Sequence, residues 1–409
     1  MSIMNCRFCG KMLTHRFADL GLSPLSNEYV SNENIMKGQI FYPLYVSVCD
    51  ECLLVQAIEF SKPENIFSDY KYFSSFSRSW LEHCKLFVDM IVPYLGLTKN
   101  SKVVEIACND GYLLQYFKPY DISPIGVEPA ENVAAEAKKK GIEVVVDFFG
   151  RDMAIKFAEK HGKADLIIAN NVFAHVPDIN GFVEGLKLLL SPHGVITLEF
   201  PHILKLIKYN QFDTIYHEHF SYFSIITVQK ILESHDLNLI KIEELETHGG
   251  SVRVYATHAG AGVNEDGSIS RLIATEKDAA LDDVSTYIRF NDTVRKIKRV
   301  SLKKLSEMKD CGKSIAAFGA AAKGNTFLNY CGIGRDFIDY VVDSNPHKQV
   351  YYLPGTHIPI VNKSEIFRTK PDYIMILPWN LKEEIANELK ETRSWGCKLI
   401  TMIPEFELL

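Results

Sequence analysis

Five short apolar runs, at residues 103–107, 124–127, 142–146, 165–169 and 195–200, are separated by longer stretches whose apolar residues recur at helical spacing. Runs this short and this continuously apolar must be buried on both faces. A helix-length connection after each one returns the chain to start the next strand in the same direction. The pattern specifies an α/β fold with a parallel sheet covered by helices. A helix over 80–94 leads in, with Leu81, Cys84, Phe87, Val88 and Ile91 on one stripe. A helix over 228–235 leads out to two further strand-like runs, 239–245 and 251–258, which Gly249 and Gly250 separate as a hairpin. Seven strands follow from this count; their spatial order does not.

The flanks have a different texture. Residues 1–70 are loop-rich and show little helical period, so this segment is expected to bury too little core to fold unaided. Residues 261–312 are charged, with helical spacing after Ser268. A second αβ pattern then runs through 314–318, a helix from about 320, 338–342, 358–361, 373–377, a helix over 381–391, and 398–402. Three domains are expected, over 1–70, 71–260 and 261–409. A net charge of −6 provides no general field for a polyanion, which argues against a nucleic-acid partner. No stretch approaches 18 uninterrupted apolar residues, and the first residues carry cysteines and charges in place of a leader pattern, so a cytoplasmic protein without a membrane span is expected.

Four of the nine cysteines form two tight pairs, Cys6-x-x-Cys9 and Cys49-x-x-Cys52. Such turns can bring four thiolates around one ion at about 2.3 Å, and four protein ligands leave no open position for chemistry. A structural zinc site is expected, its binding energy serving to fold a segment without a core of its own. Free thiols or a redox pair are the alternative. Cys84, Cys108, Cys311, Cys331 and Cys397 read as inert buried thiols.

The first strand carries Glu105 and runs into Cys108-Asn109-Asp110-Gly111, a turn expected to open a helix over 112–117 at the carboxyl end of the sheet, where doubly wound folds bind cofactors. A dinucleotide site would use three glycines for pyrophosphate approach, and this loop has one. Glu128 ends the next strand, where an acid can accept both hydroxyl hydrogens of a ribose. Asp147 and Phe148 follow the third strand, suited to bracketing an adenine, and Asn170 ends the fourth. Each has a plainer reading: a helix cap for the acid, core packing for Phe148 and Phe149. Their register at successive strand ends favours a nucleoside-bearing cofactor.

Titratable and aromatic groups are densest from Gln211 to Ser224, a stretch containing Tyr216-His217-Glu218-His219. This stretch resembles the signature of the sugar C-methyltransferases. EIACNDGYLL, NNVFAHVPD, HGGSVRVY, GAAAKGNTFLNY, LPGTHIPI and the two cysteine pairs are similar to the same family's pattern, so the resemblance spans essentially the whole chain. It implies a Rossmann-like methyltransferase core that uses S-adenosylmethionine, between an N-terminal zinc-binding domain and a smaller C-terminal α/β domain. It further implies methylation at C-3 of a nucleotide-linked 4-keto-deoxysugar, thymidine diphosphate being the expected carrier. Removing a proton beside a ketone needs a base at carbon and donors at oxygen. By resemblance His219 is that base, Tyr216 and Glu218 shape and polarise the site, His175 lies near the keto oxygen, and Tyr70 or Tyr72 faces the sugar. Plainer readings place His217 in the core and His193 and His202 at the surface or in turns. A second metal site at His-Glu-His is disfavoured, because the spacing differs from that of zinc helices.

Lys323 and Asn325 follow a strand in Gly319-Ala320-Ala321-Ala322-Lys323-Gly324-Asn325. Lysine precedes the second glycine here, so this is no Walker loop. With Arg253 they are candidates for the diphosphate, against a simple helix start carrying a solvated lysine. Rival functions are O- or N-methylation of a related sugar or small molecule, and a non-catalytic zinc-bearing scaffold. The sequence does not give the oligomeric state; a monomer is the expectation.

Overall fold

The computed structural model describes residues 4–60 and 74–409. The strands β1 (Val103–Ile106), β2 (Ile125–Val127), β3 (Glu143–Val145), β4 (Ala164–Asn170), β5 (Leu190–Pro201), β6 (Leu237–Leu245) and β7 (Ser251–His258) form one sheet in the order β6-β7-β5-β4-β1-β2-β3. β1 to β5 are parallel, and β7 inserts antiparallel between β5 and β6. From β1 the chain winds one way through β2 and β3, then the other way through β4 and β5. Their carboxyl ends therefore part at β1 and β4, where such sheets leave a crevice. Leu166, Ile167, Ile168 and Ala169 are all buried in β4 because helices cover both faces. On one face stands helix Arg78–Tyr94, with Trp80, Cys84, Phe87, Val88 and Ile91 turned inward; on the other stands Ile179–Leu189, capped by Asp178, which accepts from the Gly181 N–H at 2.9 Å.

The helix expected over 112–117 is instead a 3-10 segment, Leu114–Tyr120. Pro119 lacks the N–H that a longer helix needs, and Asp121 closes the segment in a left-handed conformation (φ 55°). In the C-terminal layer, Ile360–Val361, Val341–Val342, Ile315–Phe318, Tyr373–Ile376 and Lys398–Thr401 are parallel neighbours, and Glu407–Leu408 closes the edge antiparallel. The single helix expected over 381–391 divides into helix Lys382–Glu388 between 3-10 turns at Trp379–Leu381 and Lys390–Trp395.

The N-terminal segment, expected to be loop-rich, also builds a sheet between its loops. His15–Ser23, Tyr42–Val48 and Val55–Ala57 pair antiparallel, and Ser221–Tyr222 supplies the fourth strand. Register shifts between Arg16 and Ala18 and between Asp19 and Leu22 break the alternation that would have marked the first strand in sequence. Its core is borrowed: Phe17 stacks on Phe290 (centroids 4.7 Å apart) from the 27-residue helix Val284–Asp310. Val30–Ser31 pairs with Tyr351–Tyr352, so the segment is wedged against the C-terminal layer.

His202, expected at the surface or in a turn, stands at the turn between β5 and helix Ile203–Lys208 and is buried. Its Nε2 lies 2.6 Å from Oε1 of Glu276, which has no exposure and also accepts the N–H groups of Ile225 (2.6 Å) and Ile226 (2.9 Å) at the start of helix Ile225–Glu233. Glu276 thus ties the connector helix Ser268–Asp278 to the larger layer. Glu276→Ala strands these donors away from water. We expect a loss of about 3–5 kcal/mol, read as a lower urea midpoint with an unchanged slope. Cys311 also departs from expectation, being exposed, whereas Cys84, Cys108, Cys331 and Cys397 are buried.

Candidate active site

A cleft of about 820 Å³ opens at the carboxyl ends of β1, β2 and β4, a size that accommodates a cofactor and a second ligand together. Its first wall is the loop after β1. Ala107 (φ 55°) and Asn109 (φ 49°) take left-handed conformations, so the backbone turns tightly at the sheet edge. Glu128 fastens this loop, accepting the Asn109 N–H on Oε2 and the Ala130 N–H on Oε1, both at 2.9 Å. Burial raises the Glu128 carboxyl and these two amide bonds oppose the rise. Asn109, Glu128, Asp147, Phe148 and Asn170 all line the cleft. Glu105, Asp110 and Gly111 do not. Glu105 is fully buried in the sheet, where desolvation raises its carboxyl well above the usual range. Asp110 faces Lys140 at 3.5 Å. Gly111 (φ 75°) is required by packing, because a Cβ there would lie 2.3 Å from Ile142 Cδ1.

The same cleft is lined by Tyr216, Glu218, His219 and His175. His219 Nδ1 lies 2.8 Å from the Thr214 carbonyl, which can only accept; we therefore assign the proton to Nδ1 and the lone pair to Nε2. The ring packs 4.0 Å from Tyr216 and 4.7 Å from His175, centroid to centroid. Burial, reinforced by the neighbouring His175, holds the His219 imidazole well below its ordinary value, and burial brings His175 down to about 4. Glu218 Oε1 accepts from Asn27 Nδ2 at 2.6 Å, a contact supplied by the N-terminal segment. His217 is buried and makes an edge-on contact with Tyr42, in keeping with a core role.

Another wall comes from the C-terminal layer. Lys323 Nζ donates to the His248 carbonyl (3.2 Å) and to Asn380 Oδ1 (3.3 Å) and lies 4.8 Å from the Trp379 ring centroid. Burial pushes its ammonium down to about 8. Beneath it, Asp213 accepts from Trp379 Nε1 at 2.7 Å, and burial raises its carboxyl to about 6.

Two residues expected at the diphosphate do not reach the cleft. Arg253 lies in the sheet, bound to Glu199 (2.7 Å) and Glu243 (3.3 Å) and 4.1 Å from the Phe87 ring centroid. Asn325 is buried and accepts from Asn329 Nδ2 at 3.2 Å. Tyr70 and Tyr72 lie outside the described residues. The sequence reading missed Asn27, His248 and Lys348, all of which line the cleft. His248 adopts φ 55° with its Nε2 3.3 Å from Asn171 Nδ2; the adjoining Gly249 and Gly250 were the signal that a special backbone stood there. Asn27 and Lys348 carried no comparable signal.

The four sulfurs of Cys6, Cys9, Cys49 and Cys52 lie within 4.8 Å of one another, the nearest pairs at 3.5 Å. A tetrahedron with bonds of about 2.3 Å has edges of about 3.8 Å, so the set fits zinc. Among the described residues no other group of three or more ligating side chains gathers in this way, and no described helix is long and apolar enough to cross a membrane.

Sequence models of known families match in succession: the "Putative zinc binding domain" over residues 6–67, a "Methyltransferase domain" over 80–242, and a "C-methyltransferase C-terminal domain" over 246–404. The C-methyltransferase NovU of Streptomyces niveus is 34% identical over 403 residues, which is 98% of this chain and 96% of that one. The chain belongs to the C-methyltransferase family. Ubiquinone biosynthesis O-methyltransferase of Histophilus somni is similar over a shorter stretch, 27% identical across 25% of this chain and 44% of its own. Among solved structures, magnesium protoporphyrin IX methyltransferase of Synechocystis with bound SAH is 18% identical over 44% of this chain and 84% of its own, with a TM-score of 0.35. By its match to the methyltransferase domain the chain uses S-adenosylmethionine, and by its match to the zinc-binding domain its N-terminal cysteine cluster is a zinc site.

Proposed function

We propose that the enzyme methylates C-3 of a nucleotide-linked 4-keto-deoxysugar through an enolate. The observation that carries this reading is that Glu128 and His219 border one cleft, so a nucleoside-bearing methyl donor and a proton acceptor face a common space. Glu128, Asp147, Phe148 and Asn170 are the residues that would hold the cofactor, Glu128 at the ribose diol. When bound, S-adenosylmethionine supplies an electrophilic sulfonium methyl, which the sugar carbon takes with release of S-adenosylhomocysteine. His219 Nε2 accepts the C-3 proton, and the electron pair of the broken C–H bond delocalises onto the keto oxygen. In this reading His175 lies near that oxygen and helps stabilise it. Tyr216 and Glu218 fix the sugar's orientation. The diphosphate falls to Lys323, and a thymidine carrier suits the resemblance drawn from the motifs.

A base works in its unprotonated form, so its rate is lost as pH falls through its pKa. With His219 held below the ordinary imidazole value of about 6.5, proton removal stays level from about pH 8 to 6.5 and declines only below. An inflection above about pH 7 in deuterium washout from C-3 would contradict the assignment. Glu128→Ala removes the ribose acceptor and releases two loop amides. Calorimetry should then show S-adenosylmethionine affinity lowered roughly 10–100-fold, with an unchanged affinity ruling out the proposed ribose contact. The reaction itself is tested by carbon NMR of the product of a thymidine diphosphate 4-keto-6-deoxyhexose with labelled cofactor. A methyl signal on C-3 supports the proposal, and a methyl on oxygen or nitrogen overturns it.

A further inference from the structure

We propose that the zinc cluster sets the position of His219 through two positioning residues, Arg7 and Gln56, an inference that rests on His219 being the base. Arg7 lies inside the first cysteine pair, so zinc binding by Cys6 and Cys9 fixes its backbone on both sides. Its guanidinium donates through one nitrogen to the Phe220 carbonyl (2.9 Å) and through the other to the Ala57 carbonyl (2.8 Å). Phe220 directly follows His219. The same Phe220 carbonyl accepts the Ala57 N–H (3.0 Å), and the Phe220 N–H donates to the carbonyl of Ala174 (2.8 Å), the residue before His175. The peptide units beside both cleft histidines are thus held in one hydrogen-bonded chain that starts at the metal knuckle.

Gln56 provides the second connection. Buried, it donates through Nε2 to Cys6 Sγ (3.2 Å) and accepts the Arg7 N–H on Oε1 (2.9 Å), while its backbone pairs with Ser221 in the strand leaving the His219 turn. A planar guanidinium can satisfy two carbonyls at once, whereas a lysine ammonium offers no fixed fork. Catalytic geometry is sensitive at the ångström scale, a misplacement of about 1 Å costing up to 10²-fold. A cluster with no open coordination position, remote from any chemistry of its own, would in this way govern the proton-removal step.

The test is Arg7→Lys, which keeps the charge and removes the fork. Expected are one zinc per chain by metal analysis, S-adenosylmethionine affinity within about twofold of wild type, and an unchanged KM for a thymidine diphosphate 4-keto-6-deoxyhexose. Deuterium washout from C-3 falls about 10–100-fold. Amide hydrogen exchange quickens in the peptide spanning 215–223 and is unchanged over 251–258. Washout within twofold of wild type in the zinc-loaded variant overturns the inference. So does a joint fall in zinc content, cofactor affinity and washout, which marks general damage. Should wild type bind cofactor and yet show no washout, the base assignment fails separately. The exchange pattern then decides the coupling alone: faster exchange over 215–223 upholds it, and unchanged exchange overturns it.

Discussion

His219→Ala is expected to lower deuterium washout from C-3 and methyl transfer together by about 10²–10⁴-fold, the range for loss of a positioned general base. S-adenosylmethionine affinity should change by less than about threefold, because the proposed cofactor contacts are made by Glu128, Asp147, Phe148 and Asn170 and not by His219. The geometry gives the reason. With the proton on Nδ1 committed to the Thr214 carbonyl, the Nε2 lone pair is the basic position, and burial keeps the ring neutral at working pH. Alanine leaves the rings of Tyr216 and His175 facing a gap, so His219→Asn is the companion variant: it keeps polarity and most of the volume, and it should be equally inactive in washout. Washout retained by both variants would move the base elsewhere, with His175, 4.7 Å away, the first alternative. His175→Asn by contrast should slow washout less than either, since by this reading it stabilises the oxygen and not the carbon.

The central sheet was legible because burial leaves a mark: β1 and β4 are apolar and buried along most or all of their length, and the described strands fall within a few residues of the expected ones, although β3 at the sheet edge exposes Glu143. Strand order was not legible, since order depends on which helix crosses which face. The N-terminal sheet was hidden for a specific reason. Its bulged first strand alternates poorly, and its apolar side is completed by Phe290 and Tyr287, residues more than 250 positions away. Site residues read from strand ends, such as Glu128 and Asn170, border the cleft because the fold itself brings strand ends together. Arg253 was misplaced because strand β7 directs it inward, and a buried guanidinium needs the carboxylates of Glu199 and Glu243 more than the cleft needs a cation. Asn27 reaches Glu218 across 191 positions of sequence, a contact no local pattern encodes.

Cys49→Ala should be the most destabilising single change in the N-terminal segment. Zinc in a four-cysteine site contributes an apparent binding free energy of about 10–16 kcal/mol, and all of it is available only to the folded segment. Cys49 has no exposure and stands within 3.5 Å of Cys9, so its loss both opens the coordination shell and leaves a cavity. The consequence extends past the knuckle: Val55–Ala57 pairs with Ser221–Tyr222, and Phe17 completes the packing of Phe290. We expect zinc content to fall from one to near zero per chain and the melting temperature to drop by about 10 °C or more, a shift corresponding to roughly 3–5 kcal/mol in a domain of this size. Cys9→Ala should be milder, because Cys9 is exposed at the rim and water can occupy its position. Chelation of the wild-type protein should reproduce the Cys49→Ala phenotype, and a reductant alone should not, which separates a metal site from a redox pair. Full zinc content in Cys49→Ala with melting within about 2 °C of wild type would show that the metal does not hold this segment together.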